Sequence, residues 1–159
     1  MNISPLDDRY RNKVKNLLPI FSEFGLAKYR TIVEIKWLIF MSEKNISPEL
    51  GKRNIEKLLK LEKNFSEKDF AEIKKIEATT NHDVKAVEVF LQKYVPKKHW
   101  SWIHFGCTSE DINNTSYGLM LKDGLAELSA SLTGIQKKLK SQSKPVSYTH
   151  LTLPTICSV

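Results

Sequence analysis

Cysteine is scarce in this chain, and long hydrophobic runs are missing. Its two cysteines among 159 residues, Cys107 and Cys157, are too few for a disulfide framework and have no metal-ligand spacing. No apolar stretch is long enough to span a bilayer, and the N-terminal residues lack the charged and hydrophobic regions of a signal peptide. These absences predict a cytoplasmic protein with no metal site and no membrane partner.

An excess of positive charge is present, but it is not gathered into a basic run. The net charge is +7 with a pI of about 9.3, which permits a nucleic-acid partner or an acidic small molecule. Lysines instead alternate with glutamates, as at residues 56–57, 62–63 and 67–68, which is typical of solvated helix faces. The composition, 41% hydrophobic and 27% charged, is that of one ordinary globular domain.

Apolar residues recur at helical spacing along the chain, and no stretch alternates as a strand does. The pattern predicts a long, largely buried helix from Pro19 to about Glu43 and a second helix that starts at Ser47 and Pro48. Ser66 is predicted to cap a third helix, which residues 79–83 interrupt before another helix begins. The sequence therefore predicts an all-α fold.

The longest periodic segment follows Thr108 and has a heptad pattern. Its apolar residues, spaced by 4, 3, 4, 3 and 4 positions, form what we call the heptad seam: Leu121, Leu125, Leu128, Leu132, Ile135 and Leu139. Glycines at positions 118, 124 and 134 weaken this segment as an isolated helix. We therefore expect it to pack with partner helices in a bundle.

The most informative stretch covers residues 102–114. Gly106 favours a turn, Thr108 and Ser109 carry hydroxyls suited to an N-cap, and Glu110 and Asp111 follow in the expected first helical turn. Such a helix start leaves backbone N–H groups free to bind an anion. It is also what an ordinary helix cap looks like, and spacing alone favours the cap.

Two further groups of polar residues are candidates for binding. Arg9 and Tyr10 lie in an irregular N-terminal segment, where a guanidinium and a phenol can contact phosphate oxygens or face solvent. Asn81, His82 and Asp83 gather hydrogen-bonding side chains at a helix start, where a histidine is more often a cap than a ligand. Residue types alone favour the surface and cap interpretations.

The run Thr-Ser-Glu-Asp-Ile-Asn-Asn at residues 108–114 resembles the first signature of the adenylosuccinate lyases, in the fumarase/aspartase superfamily. Residues 4–10, 21–26 and 79–88 resemble the same family in the same order, so the resemblance covers about residue 3 to about residue 145. It implies an N-terminal helical domain over residues 1–107. Residues 108–145 would then begin the long helices that four subunits assemble into a central bundle, giving a homotetramer.

The resemblance also implies a reaction. The family eliminates fumarate from adenylosuccinate and from the succinyl-carboxamide ribotide of purine synthesis, with no metal or organic cofactor and no nucleic-acid partner. By resemblance, one group of residues contacts the nucleotide, a second lines the pocket and a third holds the succinyl carboxylate: Arg9 and Tyr10; Asn81, His82 and Asp83; Thr108 and Ser109. The family's general-acid histidine and serine base are expected beyond this chain, so the chain alone is predicted to be inactive.

The pattern fails after Pro145. Residues 146–156 contain no Lys, Arg, Asp or Glu, abandon the heptad and resemble a translated transposase sequencing adapter, so residues 146–159 are interpreted as a foreign tail. His150 lies in a segment that mimics the family's Ser-Arg-Thr-His-Gly-Gln-Pro motif, but the Arg, Gly and Gln are absent. We therefore assign His150 no catalytic role.

Other functions remain open at this point. Argininosuccinate lyase, aspartase and fumarase share the elimination chemistry, although the early Arg-Tyr pair and the Asn-His-Asp-Val-Lys-Ala run favour the purine enzyme. A helical interaction module would use the heptad seam to bind partner helices. A weak basic nucleic-acid binder would reveal itself by a salt-dependent affinity.

Overall fold

The computed structural model describes Ser4, Leu6 and residues 9–149, with side chains described as far as residue 143. These residues form helices and no strand, which confirms the all-α prediction. The α-helices are α1 (Leu18–Phe21), α2 (Glu23–Glu43), α3 (Lys52–Asn64), α4 (Glu67–Thr80), α5 (Asp83–Leu91) and α6 (Ser109–Thr149). Short 3-10 helices cover Lys15–Leu17, Gln92–Tyr94 and Lys97–Trp102.

The long helix predicted from Pro19 is broken at Ser22, so the prediction of one continuous helix was wrong. Ser22 is extended, and its hydroxyl accepts a hydrogen bond from the Gly25 N–H at 3.1 Å, which starts α2 at Glu23. Gly25 packs directly on the preceding turn, because a Cβ there would overlap the carbonyl of Ile20. The corner between α1 and α2 therefore depends on a serine cap and a missing side chain.

The sequence predicted the start of α4 correctly and the start of α3 incorrectly. The predicted start of the second helix at Ser47 and Pro48 was wrong, because α3 begins at Lys52 after Gly51. Gly51 has φ +70°, a left-handed conformation that glycine adopts without strain. Ser66 caps α4 as predicted, since it forms a capping box in which its backbone N–H and its hydroxyl both donate to Asp69 Oδ2, at 2.8 and 2.6 Å.

The core is organised around α2. Its apolar face packs with α3, α4 and α5, and the fully buried members of this cluster include Ile35, Leu58, Ile73 and Phe90. Burying each such side chain stabilises the fold by roughly 1.5–3 kcal/mol. The core fixes α2 firmly, so polar side chains on the rest of α2 are held in defined positions.

The chain divides into two units, Met1–Gly124 and Leu125–Val159. The first unit contains the core, the pair Arg9 and Tyr10, and the motifs at residues 81–83 and 108–114. In the second unit the described residues belong to α6. The six residues of the heptad seam each expose between 55% and 63% of their surface, so the described residues do not cover the seam.

The described residues do not test the predicted division of the chain into segments. The expected domain boundary between residues 107 and 108 stays a prediction. The interpretation of residues 146–159 as foreign, and the decision on His150, concern a segment of which residues 150–159 lie outside the described residues. Within the described part of the chain, no helix combines the length and apolar character needed to cross a bilayer.

Candidate functional site

Thr108 caps α6, which begins at Ser109 as the sequence predicted. Its hydroxyl accepts a hydrogen bond from the Asp111 N–H at 3.3 Å, while Asp111 Oδ2 accepts from the Thr108 N–H and hydroxyl, both at 2.7 Å. These bonds from Thr108 lower the pKa of Asp111. The Thr108 hydroxyl is therefore already engaged in capping the helix.

Ser109 is the available hydroxyl at this helix start. Among the described residues, its side chain and the backbone N–H groups of Ser109 and Glu110 have no hydrogen-bond partner. Free N–H groups and the positive end of the helix dipole favour an anion at this position. The predicted pair of hydroxyls thus divides into one that caps the helix and one that is free to bind.

The motif at residues 81–83 forms the junction between α4 and α5. Asn81 ends α4 in a left-handed conformation (φ 51°, ψ 33°), and His82 caps α5 by accepting a hydrogen bond from the Lys85 N–H at Nδ1, at 3.1 Å. The cap interpretation of His82 is confirmed, and its side chain remains half exposed.

Arg30 joins the two motifs. This arginine of α2 is only 7% exposed, and its Nη1 lies 2.7 Å from Asp83 Oδ2 while its Nε donates to Asn113 Oδ1 at 2.9 Å. Burial alone would raise the pKa of Asp83, but the hydrogen bond from the Val84 N–H and the charge of Arg30 outweigh it and lower the pKa. One buried guanidinium therefore holds the start of α5 beside the first turns of α6.

Two more side chains of α2 contact the segment that contains Thr108: Glu34 bonds to the loop ahead of α6, and Tyr29 bonds further along α6 itself. Glu34 has no exposed surface, and its two carboxylate oxygens face the backbone N–H and the imidazole of His104. The buried Tyr29 hydroxyl donates to Asp123 Oδ2 on α6 at 2.5 Å. Burial and the neighbouring Asp123 carboxylate raise the pKa of Tyr29, so the phenol stays protonated.

Arg9 and Tyr10 lie apart from these contacts. Both are exposed in a turn, with the Arg9 guanidinium carbon 5.5 Å from the centre of the Tyr10 ring. Within residues 9–143, neither side chain hydrogen-bonds to the 81–83 motif or to the start of α6. The structure thus brings together Asp83 and the start of α6, but not the predicted nucleotide-contacting pair.

Sequence reasoning missed Arg30 and Glu34. A pattern for them was present, because both residues lie in a helix that was predicted to be buried on much of its surface. A charged residue on a buried face needs a partner. The sequence therefore indicates that Arg30 and Glu34 have partners, but it does not identify them.

Two clefts border the site. A groove of about 610 Å³ runs between α2 and α6, with an apolar lining that includes Val33, Trp37 and Cys107. Burial and the nearby Glu34 and Asp111 carboxylates raise the pKa of the Cys107 thiol, which makes it a poor nucleophile at neutral pH. A smaller, more polar cleft of about 110 Å³ contains Arg30 and Asp83. Among the described residues, no cluster of His, Cys, Asp or Glu is arranged to hold a metal ion.

Comparison with known proteins places these motifs in a family. A family model described as lyase matches residues 8–152. The chain is 52% identical over 129 residues to an adenylosuccinate lyase of Vibrio cholerae, a match that covers 76% of this chain and 28% of the relative. It is 48% identical over 135 residues to an adenylosuccinate lyase of Escherichia coli K12, covering 79% and 29%. These relatives confirm the resemblance drawn from the motifs.

The matches cover most of this chain but only about a third or less of each relative. An adenylosuccinate lyase of Buchnera aphidicola (subspecies Baizongia pistaciae) is 39% identical over 160 residues, covering 97% of this chain and 34% of the relative. That share is more than residues 1–145 alone could reach, and the family model also extends to residue 152. The interpretation of the tail as foreign stays a prediction. The chain spans between 28% and 34% of the length of these three relatives.

Proposed function

The chain belongs to the lyase family, and from that premise we propose that it supplies substrate-binding residues to an adenylosuccinate lyase. The proposed reaction is a β-elimination on adenylosuccinate and on the succinyl-carboxamide ribotide. A base removes the proton from the succinyl carbon next to a carboxylate, an acid protonates the departing nitrogen, and fumarate leaves. Removal of the proton places negative charge on the neighbouring carboxylate before the C–N bond breaks, and fixed hydrogen-bond donors stabilise that charge.

The start of α6 is proposed to bind the succinyl carboxylate. Ser109 offers a hydroxyl and a backbone N–H that no described residue occupies, at the positive end of a long helix. Thr108, whose hydroxyl is engaged with Asp111, would contribute by holding that helix start in place. Asn81, His82 and Asp83 are proposed to line the pocket, and Arg9 and Tyr10 to contact the nucleotide.

The observation that carries this proposal is the Arg30 bridge. Two motifs separated by about 25 residues in sequence are joined by one buried side chain, which bonds Asp83 at 2.7 Å and Asn113 at 2.9 Å. A structural fold alone does not require two polar motifs to meet at one point. A binding site built from both motifs does, because its groups must be held in fixed relative positions.

The remaining catalytic groups are proposed to belong to the rest of a longer protein. The general acid and the serine base have no counterpart in the motifs of this chain, and the heptad seam is proposed to pack against other copies to form the homotetramer. An exposed apolar strip of this kind is typical of an interface. The alternative of a non-catalytic interaction module rests on that same seam.

A chimera tests the proposal. Residues 3–145 of this chain would replace the matching N-terminal segment of the E. coli relative, and cleavage of adenylosuccinate would be followed by fumarate release. We expect an active chimera, because the segment carries all the binding residues that the reaction needs from this region. Ser109→Ala in the chimera is expected to lower kcat by about a hundredfold, the usual effect of losing one such donor.

Ser101→Ala provides the matched control, because Ser101 is an exposed serine on the 3-10 helix ahead of the loop. It is expected to leave kcat unchanged. A correctly assembled chimera that releases no fumarate would contradict the proposed function, and equal losses in the two serine variants would remove the role given to Ser109.

A further inference from the structure

Glu34 is a buried carboxylate that the proposed reaction does not use. It lies in the middle of α2 with no exposed surface. Its Oε2 accepts a hydrogen bond from the His104 N–H at 3.1 Å, and its Oε1 lies 2.6 Å from His104 Nδ1. A carboxylate is stable in a protein interior only when such partners satisfy it, so both oxygens are committed to one residue of the loop ahead of α6.

The backbone of that loop includes an unfavourable conformation at His104. His104 has φ +63° and Gly106 has φ +72°, and the first of these is unfavourable for a residue with a side chain. Such conformations persist when surrounding contacts fix them. The Cys107 N–H closes the turn by donating to the His104 carbonyl at 3.2 Å, so the position of His104 determines where the next residues go.

A second contact from α2 holds the same loop. Trp37 lies three residues after Glu34, on the same face of the helix, and its Nε1 donates to the Phe105 carbonyl at 2.8 Å. Two neighbouring loop residues are therefore tied to one turn of a helix that the core fixes. Thr108 and Ser109 follow four and five residues after His104.

We propose that Glu34 is a positioning residue. Its two contacts with His104 fix the conformation of the loop ahead of α6, and that loop determines where Thr108 and Ser109 lie. This inference rests on the proposed function, because it concerns the same carboxylate-binding helix start. Small displacements of a binding group reduce catalysis strongly. Glu34 acts through His104 and does not touch the substrate.

The charges around Glu34 agree with this role. Burial raises the pKa of Glu34, and the hydrogen bonds from His104 oppose that effect. The Glu88 carboxylate on α5 also raises the pKa, although Glu88 is itself paired with Lys85 at 2.7 Å. The two contacts with His104 therefore join α2 to the loop.

The test compares Glu34→Gln with Glu43→Gln in the 159-residue chain, by NMR and amide hydrogen exchange. Glutamine has the shape of glutamate but no charge and a single acceptor oxygen, so weaker contacts to an amide replace the two contacts that His104 makes with a carboxylate. We expect exchange of the His104 amide to become about ten- to hundredfold faster, the effect of losing a hydrogen bond to a charged group. The imidazole nitrogen resonances of His104 should shift, and the amides of Thr108 and Ser109 should shift with them.

Glu43→Gln removes the same charge from an exposed position at the end of the same helix, and it should leave the loop unchanged. A purely space-filling role for Glu34 predicts that the isosteric glutamine behaves like the wild type. Unchanged exchange at residues 104–109, or faster exchange spread evenly over core amides such as that of Phe90, would overturn the proposal.

His104→Gly covers the case in which Glu34→Gln does not fold. Glycine tolerates the left-handed backbone and keeps the N–H bond while it removes the imidazole. Faster exchange confined to residues 107–109 would support a positioning role for the contact between Glu34 and the imidazole, and unchanged exchange would overturn the proposal. These measurements involve no substrate, so an inactive chimera would count against the proposed function and leave the exchange result to decide the role of Glu34.

Discussion

Arg30 and Glu34 are charged residues one helical turn apart on α2: Arg30 contacts both signature motifs, and Glu34 contacts the loop that precedes the second one. Arg30 has two partners on different elements, Asp83 and Asn113, while Glu34 has both contacts on His104. Charged groups with so little exposed surface destabilise a fold unless they are satisfied. The same helix that carries the apolar core therefore also sets the relative positions of the polar motifs.

Replacing Arg30 should destabilise the chain measurably. Arg30→Gln removes the ion pair and leaves Asp83 and Asn113 without their donor, and we expect a loss of about 2 kcal/mol in the free energy of unfolding. The loss is moderated because the Asp83 side chain is half exposed and water can replace part of the contact. Urea denaturation followed by circular dichroism measures it. Arg53→Gln, at an exposed position of α3, should change stability by less than about 0.5 kcal/mol; equal losses would contradict the role of the bridge.

His99 should make stability depend on pH. It has no exposed surface and no hydrogen-bond partner for either ring nitrogen among the described residues, and burial followed by the charge of Lys98 lowers its pKa. The unfolded chain, with a histidine pKa of about 6.5, then binds a proton that the folded chain does not. The free energy of unfolding should therefore be fully maintained above about pH 6.5 and fall below it, by up to about 1.4 kcal/mol per pH unit.

Urea midpoints measured from about pH 7.5 down to about pH 5 test this dependence. His99→Phe should flatten the profile in that range, because an apolar ring of similar size has no proton to bind. His82→Asn keeps a side-chain cap on α5 and should preserve the wild-type slope. If His99→Phe retained the full slope, another group would be responsible.

At the level of elements, two glycines with different surroundings should respond in opposite directions. Gly25→Ala forces a Cβ against the Ile20 carbonyl at the corner between α1 and α2, so we expect a loss of about 1–3 kcal/mol. Gly118 lies within α6 with open space around its Cα, and Gly118→Ala should stabilise the chain by about 0.5–1 kcal/mol. Thermal or urea unfolding of both variants measures the difference, and a stabilising Gly25→Ala would show that the corner is not packed as described.

The helices were predictable where a local pattern specified them. Ser66 and Thr108 start helices through side chains that lie within three residues of the cap, so the sequence contains the whole arrangement. The starts at Ser22 and Lys52 were missed for different reasons. Ser22 lies inside a run that reads as continuous helix, and the backbone conformation of Gly51 outweighs the favourable Ser47-Pro48 pair.

The site was predictable at the level of its motifs and not at the level of its connections. Asp83 and Asn113 are far apart in sequence, and their meeting depends on how α2, α5 and α6 pack. The contact between Glu34 and His104 joins residues 70 positions apart in sequence, and it too depends on how the helices pack. Long-range contacts of this kind follow from tertiary packing, which the local sequence pattern does not specify.

At the level of the whole molecule, the purified 159-residue chain should have no lyase activity. The proposed site contributes donors for a carboxylate, but neither of the expected proton-transfer groups lies in the motifs of this chain. Removing both steps of acid and base catalysis lowers rates by several orders of magnitude. Release of fumarate from adenylosuccinate, followed by absorbance with the E. coli enzyme as a positive control, measures this. Fumarate release above background would mean that a residue of this chain transfers a proton.

The heptad seam should make the chain associate with itself. Six apolar side chains, each more than half exposed, form a strip that water disfavours. Analytical ultracentrifugation should therefore show a mass that rises with concentration. Leu128→Gln combined with Leu132→Gln should raise the dissociation constant by at least about tenfold, because burying each leucine contributes about 1.5–3 kcal/mol.

A control pair separates the seam from general effects of polar substitution. Ala130→Gln combined with Lys137→Gln alters two exposed positions of α6 outside the seam and should leave the association unchanged. Association that both pairs weaken equally would show that the seam is not the contact surface. A chain that is monomeric at every concentration and melts cooperatively would contradict the bundle argument itself, because a helix that needs partners would then be stable without them.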